Sequence, residues 1–278
     1  MAWHKRLGRH SSLSALDDHI MRIIVLSLLE CPVLVPDDYP TVAKAVEAAV
    51  DGQTILVRTG EHFLGPNASK PVVISKRLNL VGEDGAVLNG GLRMSFGSGG
   101  VLRNITVKGH LWIYDGRWDV SDCVVQMRQD ACVLLSNTSR VRVRRCVVGG
   151  TSKYQASCGF IVYGHAVAVV SDCEVEHCAK GVSTGGKSSL LMSSCDIRDC
   201  VCAFSVLHPG DHGRLLRVRD CEIIRSGRLW LDQYRPERVE AEENKINQES
   251  MGRTFWQRYA STVGSWETYA DYPGSLEF

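Results

Sequence analysis

The sequence predicts an all-β fold, a right-handed parallel β-helix built from coils of about 23 residues. A six-residue phrase recurs along the chain: an apolar residue, two polar residues, a cysteine, any residue, and a second apolar residue. Valine-rich segments of strand length separate these phrases. No apolar period of 3.6 residues runs through them, so the pattern does not indicate a helical solenoid. The cysteines of the phrase are Cys123, Cys146, Cys173, Cys195 and Cys221.

The spacing of the phrases supports a solenoid. Ile105 and Asn244 take the cysteine position in related phrases at the two ends, so the steps are 18, 23, 27, 22, 26 and 23 residues. A regular period with variable insertions is typical of stacked repeats. Each phrase is followed by one or two further short strands, such as ACVLL and HAVAVV. Three short parallel strands per coil describe a β-helix.

The recurring cysteines are expected to point inward as a stacked column of reduced thiols, with Cys178 and Cys200 in a second, shorter column. Disulfides along the column are an alternative, because the spacing between coils permits them. A metal site is a weaker alternative, because zinc ligands converge from several directions. The sequence shows no secretion signal, which favours a reducing compartment, the cytoplasm or the nucleus. We predict neither a metal nor a cofactor.

The β-helix begins after a short capping helix. Val42, Ala45, Val46 and Ala49 form an apolar helical stripe that would close the open end of the coils. The stretch VPDDYPTVAKAVEAAVDGQTILVRTGEHF, followed by ISKRLNLVGED, resembles the start of the pectin-lyase-like right-handed β-helix superfamily, which includes NosD-type proteins and F-box proteins with β-helix repeats. The resemblance covers residues 33 to 246 and implies the fold alone, because this fold serves both enzymes and binding proteins.

The N-terminal segment, residues 1–31, is predicted to contain an amphipathic helix. Leu16, Ile20, Ile23 and Leu29 carry a partial resemblance to the first helix of an F-box, which implies docking to a Skp1-like adaptor. The alternative is an extra helix that covers the solenoid. The two further segments are the β-helix, residues 32–247, and an aromatic C-terminal tail, residues 248–278, which has no period and is expected to form an irregular cap.

Sequence motifs of the carbohydrate-active relatives are missing. The phrases QDT and DFIFG are not found, and Asn137–Ser139 reads NTS without an acid. Asp122, Asp172 and Asp220 would form an outward column interrupted by Arg145. They are either solvated edge residues that pair with the arginine, or a calcium or acid–base site. We therefore predict no catalytic residues; an enzyme of this resemblance would be a polysaccharide lyase or glycoside hydrolase.

An apolar outer stripe is the main predicted binding site. Strand alternation places Trp112, Tyr114, Ile161 and Tyr163 outward, with Trp118 nearby in sequence. These side chains would stack on sugar rings, receive a protein partner, or be covered by the chain's own tail. A Gly/Pro-rich loop adds the candidates His208, Asp211 and His212, for which an ordinary polar turn is the alternative.

The overall composition limits the classes of partner that the protein is expected to bind. The chain has 278 residues, 23% charged residues and a net charge of +1, which gives no electrostatic case for nucleic acid or an anionic membrane. Its most apolar run, Ile20 to Glu30, is short and contains Arg22, so no membrane span is predicted. The predicted function is a non-catalytic scaffold for a protein partner, as the substrate-recognition subunit of a ubiquitin-ligase-type complex. The alternative is a carbohydrate-binding or polysaccharide-degrading protein.

Overall fold

The computed structural model describes residues 31–64, 70–128, 130–152, 156–206, 215–226, 228–230, 238–247 and 266–269. Within these ranges the chain winds through three parallel sheets, A, B and C, and returns to each sheet once per coil of about 22 residues. Strands of one sheet therefore come from successive coils and pair in parallel register. This is the predicted parallel β-helix.

Within the described ranges, sheets A and B contain ten strands each and sheet C contains eight. Sheet A is formed by β1 (Val33–Val35), β2 (Thr54–Val57), β5 (Arg77–Gly82), β8 (Gly99–Arg103), β11 (Arg117–Ser121), β14 (Arg140–Arg144), β17 (Val167–Ser171), β20 (Ser189–Ser193), β23 (Leu215–Arg219) and β26 (Arg238–Glu242). Sheet B is formed by β3 (Gly60–Phe63), β6 (Ala86–Asn89), β9 (Thr106–Lys108), β12 (Val124–Gln126), β15 (Val147–Gly149), β18 (Glu174–Glu176), β21 (Asp196–Arg198), β24 (Glu222–Ile224), β27 (Asn244–Asn247) and β28 (Trp266–Tyr269). Sheet C is formed by β4 (Val72–Ile74), β7 (Leu92–Met94), β10 (Leu111–Ile113), β13 (Ala131–Leu135), β16 (Ala156–Val162), β19 (Cys178–Thr184), β22 (Cys202–Val206) and β25 (Arg228–Trp230).

The predicted capping helix is present as α1 (Val42–Ala48). Thr41 precedes it, and its hydroxyl accepts a hydrogen bond from the Lys44 N–H, which satisfies one of the free donors of the first turn. Val42, Ala45 and Val46 are buried against the first coil. The helix thus covers apolar residues that the end of a solenoid would otherwise expose.

The core lies inside the coils and is aliphatic. The cysteines of the recurring phrase are all buried, as are the apolar residues two positions later, so the predicted inward direction is confirmed. All eleven cysteines are free thiols, and ten of them are buried. In each of these coils the short turn from sheet A to sheet B contains one residue in the left-handed conformation: Asn104, Asp122, Arg145, Asp172, Ser194, Asp220 and Glu243.

The C-terminal tail contains one feature that the sequence did not predict. Trp266–Tyr269 forms strand β28, which pairs with β27 and extends sheet B. The segment combines two aromatic residues and a threonine, which favour strands, and the edge of β27 offers unpaired backbone groups. No helix among the described residues has the length and apolarity needed to cross a membrane.

Candidate functional site

The outer face of sheet C brings the predicted stripe together. Trp112 pairs in register with Leu134, which pairs with Ile161, so these side chains lie in one column on successive coils. Tyr114 and Tyr163 each lie two residues further along their coils and belong to the same outer face. Tyr163 is 39% exposed. The other residues of this face are partly exposed, namely Trp112, Tyr114, Leu134 and Ile161. Four of the five predicted stripe residues therefore share one surface.

The face ends at two buried serines. Ser183 pairs with Ile161 in the stripe, and Ser205 follows on the next coil. Both are buried, and their hydroxyl groups lie 2.5 Å apart in a hydrogen bond. The accessible part of the stripe thus ends at Ile161 and Tyr163 on this side, whereas on the other side the column continues through Arg93 to Val73, which is 50% exposed.

An aromatic cluster occupies the start of this face. The His110 ring is stacked on Trp112, with centroids 3.9 Å apart and planes at 23°. Tyr114 meets Trp112 edge-on at 6.4 Å and 84°, and the Arg93 guanidinium lies 4.8 Å above the Tyr114 ring. Such pairs are favoured by ring quadrupoles and by cation–π attraction. We call Arg93, His110, Trp112 and Tyr114 the aromatic platform.

A glycine in the preceding coil allows this arrangement. A Cβ atom on Gly91 would lie 2.4 Å from Nε2 of His110, so any larger residue would displace the imidazole from its position. Burial lowers the pKa of His110 below its usual value, against the attraction of the Asp130 carboxylate. The ring is therefore neutral near pH 7. Among the described residues, His110 Nε2 and Trp112 Nε1 are buried without a hydrogen-bond partner.

Trp118 does not belong to this surface. Its side chain is 1% exposed inside the coils, on sheet A, and its indole N–H donates to Ser98 Oγ at 3.3 Å. Gly100 pairs with Trp118 in register on the adjacent strand. The prediction that Trp118 belongs to the outer stripe was wrong. It rested on the closeness of Trp118 to Trp112 in sequence, although Trp118 is two residues from Val120 in the same strand and should point inward with it.

Two groups of predicted residues lie outside the described ranges. The loop candidates are His208, Asp211 and His212, and the docking-helix candidates are Leu16, Ile20, Ile23 and Leu29. The structure places neither group.

The outward aspartate column at the A–B turn is a charge-pairing feature. Arg145 binds Asp122 through two hydrogen bonds of 2.7 and 2.9 Å, and Arg103 lies 3.5 Å from the same carboxylate. The hydrogen bonds from Arg145 hold the pKa of Asp122 below its usual value. An ionised carboxylate bound to guanidinium groups is poorly suited to donate a proton. The predicted pairing with Arg145 is present for Asp122, whereas the described residues show no hydrogen bond or ion pair between Arg145 and Asp172.

Sheet B carries an acidic column that the sequence analysis missed. Glu174, Asp196 and Glu222 pair in register on three successive coils. Arg198 lies 3.0 Å from Glu174, and it also forms a hydrogen bond of 2.5 Å with Asp196. The sequence does contain a sign of this column, because an acidic residue directly follows each of Cys173, Cys195 and Cys221. The described ranges contain no group of three His, Cys, Asp or Glu residues arranged to hold a metal ion.

Comparison with known proteins assigns the family. A family model described as right-handed β-helix region matches residues 109–263, more than half of the 278-residue chain. The chain belongs to this family, and the predicted handedness is thereby supported. No curated protein matches the chain in sequence.

Several solved structures share the fold. The Agl-KA catalytic domain aligns with 79% of this chain and 55% of its own, about half its length, at 12% identity and a TM-score of 0.53. The pectate lyase Pel9A aligns with 82% of this chain and 70% of its own, at 11% identity and a TM-score of 0.46. The pectin methylesterase PemA from Erwinia chrysanthemi aligns with 87% of this chain and 89% of its own, at 13% identity and a TM-score of 0.45. At such identities the likeness is one of fold.

Proposed function

We propose that this protein binds carbohydrate on the outer face of sheet C, with sugar rings stacked on the aromatic platform. The observation that carries the proposal is the ordered set of rings on a rigid sheet, in which Trp112 is stacked with His110 and meets Tyr114 edge-on. Leu134 and Ile161 extend the same face in register along the solenoid axis. An extended chain of sugars matches such a linear surface.

The chemistry of a sugar ring fits this surface. Its C–H faces are apolar and pack on aromatic rings, while its hydroxyl groups remain at the edge of the contact. The exposed guanidinium of Arg93 supplies donors to those hydroxyls at the edge of the platform. Because backbone pairing on both sides holds β10, little conformational freedom is lost on binding.

The proposal is limited to binding. Hydrolysis of a glycosidic bond needs a carboxyl group with a raised pKa beside a second carboxylate. Asp122 is instead bound to Arg145, and its pKa is lowered. Glu174 and Asp196 are both paired with Arg198.

The test is a glycan array probed with the full-length chain, followed by calorimetry with the oligosaccharides that bind. Two of the similar structures are a pectate lyase and a pectin methylesterase, so pectate and pectin are included among the probes. Trp112→Ala is expected to weaken binding about tenfold, because it removes the central ring. Phe63→Ala is the matched control, since Phe63 is 61% exposed on sheet B, away from the platform.

Two outcomes would contradict the proposal. The first is an array on which no glycan is bound by the wild-type chain. The second is glycan binding that Trp112→Ala leaves unchanged while the variant's thermal midpoint equals that of the wild type.

A further inference from the structure

We propose that the outer face of sheet A is a second binding surface, a docking groove for an acidic and apolar polypeptide segment of a partner protein. The groove has a volume of about 590 Å³ and lies across β8, β11, β14 and β17. This inference concerns a different sheet from the aromatic platform and does not rest on carbohydrate binding.

Positive charge is concentrated at this groove. Strands β8, β11 and β14 and the turn residue that follows each of them contain six arginines and two aspartates, and β17 with its turn residue adds only Asp172, so the excess over the four strands is three charges. The whole chain has a net charge of only +1, so the excess is local. The residues are Arg103, Arg117, Arg140, Arg142, Arg144 and Arg145, with Asp119 and Asp122.

The two aspartates are already paired with other arginines. Asp119 lies 3.6 Å from Arg142 and 3.2 Å from Arg144. Asp122 binds Arg145 and Arg103. Each of these carboxylates is therefore already paired with two guanidinium groups and does not neutralise a third.

Arg117 and Arg140 remain without a carboxylate partner in the described part of the chain. They pair in register on β11 and β14, so their side chains leave the same face on neighbouring strands, about 4.8 Å apart at the backbone. Both are exposed. Like charges at this spacing repel each other, and a bound carboxylate would relieve that repulsion with charge-assisted hydrogen bonds.

The other half of the groove is apolar. Val167 and Val169 pair in register with Arg140 and Arg142, and they are 38% and 39% exposed. On the next strand, Leu191 pairs in register with Val169 and extends this apolar surface. Protein interfaces commonly combine an apolar surface with arginine, which is enriched among the residues that contribute most to the binding free energy. A segment with acidic residues beside valine or leucine would match both halves.

Other polyanions fit the groove less well. Single-stranded nucleic acids bind by stacking bases on aromatic rings, and sugars also favour aromatic surfaces. The one aromatic residue that lines the groove is Trp118, which is 1% exposed beneath it. Duplex nucleic acid needs a larger excess of positive charge than a chain with a net charge of +1 provides.

The experiment selects short peptides from a random phage-displayed library on the full-length chain. The enriched peptides are synthesised, and their dissociation constants are measured by fluorescence polarisation. We expect Asp or Glu beside Val or Leu in the enriched sequences. Arg117→Gln/Arg140→Gln is expected to weaken binding about tenfold, and so is Val167→Thr/Val169→Thr, which keeps side-chain shape and strand propensity. Arg128→Gln/Lys44→Gln removes two exposed charges outside sheet A, one after strand β12 and one in helix α1, and is expected to change nothing.

A second test uses the wild-type chain alone and so does not depend on the folding of a variant. Peptide binding to it should weaken as the sodium chloride concentration is raised, because salt screens the attraction between the arginines and the acidic residues. Enriched peptides without acidic residues would overturn the proposal, as would equal binding to the Arg117→Gln/Arg140→Gln variant. Pectate fragments and a single-stranded oligonucleotide are tested in parallel. If one of them binds through these arginines and no peptide does, the groove is a polyanion site and not a protein-docking site.

Discussion

At the scale of single residues, the column of cysteines has a hydrogen-bonding role beside its packing role. The Cys146 N–H donates to Cys173 Sγ at 3.4 Å, and the Cys173 N–H donates to Cys195 Sγ at 3.5 Å. At the end of the column, Asn244 Oδ1 accepts from the Cys221 N–H at 3.0 Å. The position therefore selects a small side chain that also accepts a hydrogen bond from the preceding coil. The sequence predicted the packing and not this second role.

Replacements of Cys173 separate the two roles. Cys173→Val keeps an apolar side chain but leaves the buried Cys146 N–H without an acceptor, which should cost about 1–3 kcal/mol of unfolding free energy. Cys173→Ser keeps an acceptor and should cost less than the valine variant. Denaturant unfolding with a constant m-value measures both. Equal losses in the two variants would show that packing alone selects cysteine at this position.

At the scale of elements, the turn between sheets A and B requires a left-handed residue in every coil. Asp122, Asp172 and Asp220 suit this conformation, since Asn and Asp enter it more readily than other side chains. Ser194, at a φ of 51°, and Arg145, at 50°, do not. Arg145 has its ion pair with Asp122, whereas no hydrogen bond or ion pair is found for the Ser194 side chain in the described residues.

Ser194 is therefore the turn residue that is easiest to improve. Ser194→Asn is expected to raise the unfolding free energy by about 0.5 kcal/mol, and Ser194→Val to lower it by about 1–2 kcal/mol, because a branched Cβ is strained at positive φ. Thermal unfolding measures both. The matched control is Ser193→Asn, one residue earlier in strand β20, where asparagine is unfavourable. Equal stabilisation by both asparagines would refute a turn effect.

The elements also show how far the sequence could be interpreted. The period and the inward faces were predictable because one phrase repeats with the same alternation in each coil from β8 to β27. The arginine groove was not, because Arg117 and Arg140 become neighbours only when the register of β11 and β14 is known. The inward Trp118 could have been predicted from its alternation with Val120 in the same strand, as the buried state of both residues shows.

At the scale of the whole molecule, each coil contacts only its neighbours, so local opening should spread from the ends. The thiols report this directly, because they are distributed along the solenoid from Cys123 to Cys221. Burial raises the pKa of Cys158 to about 12, and the hydrogen bond with Cys146 together with burial raises the pKa of Cys123. Hydrogen bonds with neighbouring cysteines instead lower the pKa of Cys146 and of Cys221, so protonation alone does not order the reaction rates. Because all of these thiols are buried, each one reacts with an alkylating agent only after its coil opens.

Alkylation followed by mass spectrometry should therefore distinguish three classes of thiol. Exposed Cys31 is expected to react at once in the native protein, and all eleven cysteines should react after denaturation. Of the buried thiols, Cys221, near the last described coils, should react faster than Cys146 and Cys173 in the middle, because openings that begin at an end reach it first. A Cys31→Ser variant removes the fast reaction and leaves the slow ones to be mapped by peptide. Equal slow rates along the whole column would instead mean that the solenoid opens in one cooperative step, with its coils coupled more strongly than nearest-neighbour stacking provides.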